Sequence, residues 1–141
     1  MAEGMRAVGW AKAFPVSGGV EAGRRWTREH LASLEWMRDA PETVDDVVLA
    51  VSELLTNAHV HAHSTAHLVL SWDRRCLHVY VSDTGPGLPT PRDHDTTRVS
   101  GRGLAIVDAV ADEWETLTHA GGKAIYACFR PPGQTDPHAA S

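Results

Sequence analysis

Glu53-Leu54-Leu55-Thr56-Asn57-Ala58 places a carboxylate and a carboxamide four residues apart inside a helical run. Val47, Val48, Val51, Leu54, Leu55 and Ala58 recur around it at helical spacing and make a broad apolar stripe. Glu53 and Asn57 therefore stack on one face beside that stripe, in a row that Asp46 and Ala50 begin and His61 continues. The helix reads from Pro41 or Glu42 to about His61. Pro is comfortable in a first turn, and Glu42, Asp45 and Asp46 suit the positive helix start. Two glycine boxes follow. Asp83-Thr84-Gly85-Pro86-Gly87 comes directly after an alternating strand, and Gly101-Arg102-Gly103-Leu104 directly before another helix. Each is weak alone; in this order and at these separations they describe a nucleotide pocket.

Upstream, Lys12 to Val16 reads as a short edge strand closed by Pro15 and the Ser17-Gly18-Gly19 turn. Val20 to Met37 reads as one helix, with Ala22, Trp26, Glu29-His30, Ser33 and Trp36-Met37 at helical spacing, until Ala40-Pro41 breaks it. Downstream, His67 to Trp72 and Leu77 to Asp83 read as strands joined by a polar turn. In the second, Leu77, Val79 and Val81 alternate with His78, Tyr80 and Ser82, so one sheet face is buried. Leu88 to Ser100 has no period, follows or contains Pro86, Pro89 and Pro91, and reads as a mobile loop. Gly103 to Ala111 reads as a short helix. Trp114 to His119 and Lys123 to Phe129 form a last hairpin around Gly121-Gly122. Strands cluster in hairpins, which predicts an α+β two-layer sandwich with helices on one face of a mixed, mostly antiparallel sheet. The expected domain spans residues 11–130, between loose ends at 1–10 and 131–141.

The bulk composition removes several function classes. A chain of 141 residues with 43% hydrophobic and 22% charged content suits one globular domain. A formal net charge of -5 and no basic run argue against nucleic-acid binding. No apolar run approaches the ~20 residues of a membrane span, and residues 1–20 lack a signal-peptide core, so a cytoplasmic location is expected. Cys76 and Cys128 are not a CxxC pair and fall in apolar stretches, which favours buried free thiols over a disulfide or a metal site.

The boxes carry definite chemistry. The amide oxygen of Asn57 suits Mg²⁺, a hard cation that keeps waters and takes substrate phosphates as further ligands. Glu53 can then polarise an attacking hydroxyl or water. Taken alone, the pair fits the solvated face of an amphipathic helix better. Asp83 can accept a hydrogen bond from an exocyclic amine such as that of adenine, while Gly85 and Gly87 let the backbone approach a flat ring. Taken alone, Asp-x-Gly is ordinary turn chemistry. Gly101, Arg102, Gly103 and Leu104 open a helix, whose free N–H groups and dipole seat a phosphate. The dinucleotide fingerprint fails for want of a third glycine, and no GxxxxGK[ST] loop or nucleophile elbow occurs. His59, His61, His63 and His67 invite a metal reading through the His59/His63 pair, but the helix is ending there and no cysteine or acidic cluster joins them. The five tryptophans read as packing.

With these boxes in this order, the chain from about Ala13 to Phe129 resembles the GHKL ATPase superfamily, the ATP-binding module of gyrase, histidine kinases and mismatch-repair proteins. Glu53 to Ala58 resembles its asparagine box, Asp83 to Gly87 its first glycine box, and Gly101 to Leu104 its second. The resemblance implies a Bergerat-type ATP-binding fold with ATP and Mg²⁺. Asn57 would hold the metal and Glu53 would be the general base. Asp83, Gly85 and Gly87 would take the adenine, and Gly101, Arg102, Gly103 and Leu104 the phosphates. Leu88 to Ser100 would be a lid whose Arg92 and Arg98 reach toward the γ-phosphate.

Within that superfamily the chain is most similar to the bacterial anti-sigma-factor serine kinases, by its size, the early Phe14-Pro15 strand, the short lid and the Ala111-Asp112-Glu113-Trp114 exit. Neither the dimerisation helices of sensor kinases nor the transducer domain of gyrase is expected. His61 fits the family pattern, whereas His59 and His63 are less typical. The resemblance implies a protein serine/threonine kinase that phosphorylates an anti-sigma-factor antagonist and holds a sigma factor, compatible with a homodimer and with no direct nucleic-acid or membrane partner. A non-catalytic, ATP-dependent partner-binding module and a detached histidine-kinase-type catalytic domain remain the alternatives.

Overall fold

The long apolar stripe around Val51 becomes the central helix of a layer laid on one antiparallel sheet. The computed structural model describes residues 8–62, 65–83, 101–119 and 122–132. Its elements are β1 (Val8–Phe14), α1 (Gly19–Leu31), α2 (Glu35–Arg38), α3 (Pro41–Ala62), β2 (Ala66–Trp72), β3 (Leu77–Asp83), α4 (Gly101–Val110), β4 (Glu113–His119) and β5 (Gly122–Phe129).

The sheet order is β1-β2-β3-β5-β4, and every neighbouring pair is antiparallel. The α+β sandwich stands, with an antiparallel sheet in place of the mixed one expected. The reason is topological. β4 runs parallel to β3, but β5 folds back between them, so the two parallel strands never touch. Strand alternation sets the layers. Leu77, Val79, Val81, Leu68, Leu70, Ile125, Ala127 and Phe129 are buried beneath the helices together with Val47, Val51, Leu54 and Leu55. Each such buried Val, Leu, Ile or Phe side chain contributes about 1.5–3 kcal/mol. The five tryptophans, Trp10, Trp26, Trp36, Trp72 and Trp114, are half-buried and pack against this core.

Three elements differ from the sequence reading by two residues or more. The run expected as one helix from Val20 to Met37 is broken at residues 32–34. Ser33 Oγ donates to the His30 carbonyl at 2.7 Å, and Leu34 turns extended at φ -92 and ψ 118. Leu34 and Met37, on either side of the break, are both in the core. The first strand starts earlier and stops at Phe14, because Pro15 has no N–H to extend the ladder to Val16. It is the edge strand expected, and it takes in Val8, Gly9 and Trp10 from the stretch read as loose. The third long helix begins at Gly101 instead of Gly103. Residues 1–7 and 133–141, most of the two ends read as loose, lie outside the described residues.

Candidate functional site

Helix α3 is held between α1 on one flank and α4 on the other. The α1 flank is closely locked. Its buried row is Gly19, Gly23, Thr27 and Leu31, one residue per turn. Gly23 lies so close to the Leu55 side chain that a Cβ there would collide with it. Arg24 Nη1 donates to Ser52 Oγ at 3.0 Å, and Arg28 Nη2 meets Asp45 Oδ1 at 3.0 Å. His59 Nε2 sits 3.0 Å from the Phe14 carbonyl, where the ring N–H donates to it. Ser52, Leu55 and His59 thus mark the α1 side of α3.

At 3.6 residues per turn, Glu53 and Asn57 point well away from that side and toward the α4 flank. Both are half-buried, and neither has a hydrogen bond or ion pair among the described residues. Asp46 shares their row. Burial first, then the neighbouring Asp45 and Glu42 carboxylates, raises its pKa above the ordinary carboxylate value. Among the described residues the row is therefore an acidic face without a neutralising partner for Glu53, as an oxygen-donor cation site requires.

The chain path brings the other boxes to the same end of the sheet. α3 ends at Ala62, and β2 starts at Ala66, which pairs with Asp83 at the end of β3. Asp83 continues the inward series Leu77, Val79, Val81 and is 7% exposed, a buried carboxylate on the helix-covered face. After α4, Asp112 N–H bonds the Cys128 carbonyl at 2.8 Å, at the opposite, Leu77 end of the sheet. The N-terminus of α4 is thus at the Asp83 end. Because the helix begins at Gly101, the free first-turn N–H groups belong to Gly101, Arg102, Gly103 and Leu104. Leu104 itself is buried in the core. Gly85, Gly87, Arg92, Arg98 and the whole stretch 84–100 lie outside the described residues. The donor set that remains fits a magnesium nucleotide. It has a buried carboxylate for an exocyclic amine, carboxamide and carboxylate oxygens for a hard cation, and a helix start for phosphate.

Two other readings of the sequence resolve differently. Of the His59/His63 metal pair, His59 is buried with its Nε2 bonded to the Phe14 carbonyl, and His63 lies outside the described residues. Cys76 and Cys128 are free thiols, as expected, but the structure brings them together with His78, which sequence spacing alone does not show. Burial first, then Cys128, pushes the Cys76 thiol up to about 12. The nearby Asp73 behaves oppositely. Burial alone would raise it, but hydrogen bonds from the backbone N–H of Cys76, from His78 and from the backbone N–H of Arg75 outweigh that and hold it at about 2. A cavity of about 240 Å³ lies between α1, α2 and the start of α3, lined in part by Arg28, Met37, Arg38 and Val44. It is at the far end of α3 from Asn57 and takes no part in the boxes.

The family model for the histidine kinase-like ATPase domain matches residues 19–129. No curated protein matches the chain. No helix among the described residues is long and apolar enough to cross a membrane.

Proposed function

The chain belongs to the histidine kinase-like ATPase family, and on that footing we propose that it is an anti-sigma factor with serine/threonine kinase activity toward an anti-sigma-factor antagonist. Domains of this family bind ATP, usually with Mg²⁺, and serve ATP-using, kinase-like regulation. The observation that carries the nucleotide-binding part of this reading is the convergence of the Asn57 row, Asp83 and the start of α4 at one end of the sheet.

In this reading Asp83 accepts from the adenine amine, and Gly85 and Gly87 admit the ring. The amide oxygen of Asn57 holds Mg²⁺, which when bound neutralises phosphate charge. Gly101, Arg102, Gly103 and Leu104 receive the phosphates on backbone N–H groups, and Arg98 adds a cation. Glu53, one turn before Asn57, takes the proton of the substrate serine or threonine hydroxyl. Its half-exposed position, without a hydrogen-bond or ion-pair partner among the described residues, suits a group that must meet an incoming hydroxyl. Phosphoryl transfer asks mainly for positioning and charge stabilisation, which these groups supply. The partners in this reading are a sigma factor and an anti-sigma-factor antagonist, in the cytoplasm, and the reading is compatible with a homodimer. The resemblance of the Phe14-Pro15 strand and the Ala111 to Trp114 exit supports the assignment to this branch.

The test is transfer of the ATP γ-phosphoryl group to a candidate antagonist by wild type and Glu53→Ala. The variant is expected to lose about 10²–10⁴-fold in transfer rate while binding ATP normally. Undiminished transfer would remove Glu53 from its role. Normal ATP binding with no transfer by the wild type to any antagonist would leave a nucleotide-gated binding module. Acid-labile product phosphate would indicate histidine as the acceptor.

A further inference from the structure

The outward face of the sheet carries a second cluster at the Leu77 end of β3, opposite the end occupied by Asp83. Cys128 stands across from His78 in the β3–β5 register, and Cys76 lies two residues ahead of His78. Two thiol sulfurs and one imidazole nitrogen lie within 4.8 Å of one another. Although it is on the outward side, Cys128 is 2% exposed. We propose that Cys76, His78 and Cys128 form a binding site for a thiophilic divalent cation, zinc above all, with its fourth position open to water.

The donor chemistry selects this class of ion. Two thiolates and an imidazole suit zinc, whereas magnesium and calcium take oxygen ligands. Tetrahedral zinc with Zn–S near 2.3 Å and Zn–N near 2.0–2.1 Å sets ligand atoms about 3.5–3.8 Å apart, so side-chain adjustments of about an ångström close the site. The ring is already oriented. His78 Nε2 meets Asp73 Oδ2 at 2.7 Å, and Asp73 is itself fixed through Oδ1 by the backbone N–H of Arg75 and Cys76 at 2.9 and 3.0 Å. A carboxylate anchored in this way fixes a ligand histidine and raises its basicity. His78 Nδ1 is 2.8 Å from the Tyr126 hydroxyl, a neutral and more readily displaced partner.

The register disfavours a disulfide. Cys76 stands diagonally across the ladder from Cys128, where Cα atoms are about 7–8 Å apart, beyond the usual disulfide span of about 4.4–6.8 Å. A metal bridges that diagonal without moving the backbone. It would tie the β2–β3 turn to the end of β5, about 17 Å along β3 from Asp83 at ~3.4 Å per residue. The site does not rest on the nucleotide reading and can be tested apart from it.

The reduced full chain is titrated with Co²⁺ and then Zn²⁺. One equivalent of Co²⁺ is expected to give tetrahedral ligand-field bands and thiolate-to-cobalt charge transfer, both abolished by one equivalent of Zn²⁺. Cys76→Ser and Cys128→Ser should each weaken the charge-transfer band, and the double variant should lose it. Asp73→Asn keeps an oxygen for the two backbone N–H groups and should weaken affinity about 10–100-fold. Zn²⁺ should also protect both thiols of the wild type from alkylation, a readout that decides even if the serine variants fail to fold. The proposal is overturned by absence of charge transfer, by Co²⁺ binding that survives in the double variant, or by alkylation unaffected by Zn²⁺. It is likewise overturned by an intact mass short of the two thiol hydrogens in protein isolated without reductant, which would show a disulfide.

Discussion

The two flanks of α3 differ in what their polar residues do. Toward α1, Ser52 accepts from Arg24, Asp45 meets Arg28 and His59 bonds the Phe14 carbonyl, so polar groups there hold the fold together. Toward α4, Glu53 and Asn57 have no such partner among the described residues, and Asp46 carries a carboxyl whose ionisation is opposed by burial and by its neighbours. One helix thus serves as a structural beam on one side and, among the described residues, presents unpartnered oxygen donors on the other. Polar groups left half-buried and unpaired cost stability, and they are expected where a ligand completes them.

Substitutions on the two flanks should therefore separate stability from nucleotide chemistry. The largest effect is the loss of transfer in Glu53→Ala, which should leave unfolding free energy within about 0.5 kcal/mol of wild type. Next is Gly23→Val on the other flank. Its branched side chain would press into Leu55, itself 0% exposed, and should destabilise by about 1–3 kcal/mol in urea unfolding. A neutral Gly23→Val would mean that α1 is not seated as tightly on α3 as the contact requires.

Smaller effects refine the contrast. Arg28→Ala removes an exposed pair, with side chains 54% and 66% exposed, and should cost less than about 1 kcal/mol and less still in high salt. Asp46→Asn should act in the opposite direction. Because the folded pKa of Asp46 is raised above 3.8, its ionisation destabilises the fold as pH rises through the ordinary carboxylate range. The asparagine variant should be slightly more stable than wild type at neutral pH and no more stable at strongly acidic pH. A stability difference independent of pH would assign the effect to packing.

Legibility from sequence follows the same division. The period-two pattern marked β3 from Leu77 to Asp83 at both ends, and the apolar stripe marked α3, because each signal lies within one element. Glu53, Asn57, Asp83 and the α4 start stand out in the sequence as a candidate site because their residue types and order carry chemistry. The packing of α1 was not. Periodicity registers apolar side chains, whereas Gly19 and Gly23 make contact through what they lack. The break at residues 32–34 was not legible either, because Ala22, Trp26, Ser33 and Met37 keep helical spacing across it and the Ser33 bond to the His30 carbonyl leaves no mark in that period. The Cys76, His78 and Cys128 cluster arises from cross-strand register between residues about fifty apart in sequence, which no local pattern encodes.

The contrast between the flanks is tested most directly by calorimetric titration of ATP, with and without Mg²⁺, into wild type and Asn57→Ala, with urea unfolding of both proteins alongside. Wild type should bind one ATP in a magnesium-dependent manner. Asn57→Ala should lose that binding while its unfolding free energy stays within about 0.5 kcal/mol of wild type. Equal ATP binding by the two proteins, or loss of binding accompanied by loss of stability, would contradict the assignment of this flank to the nucleotide.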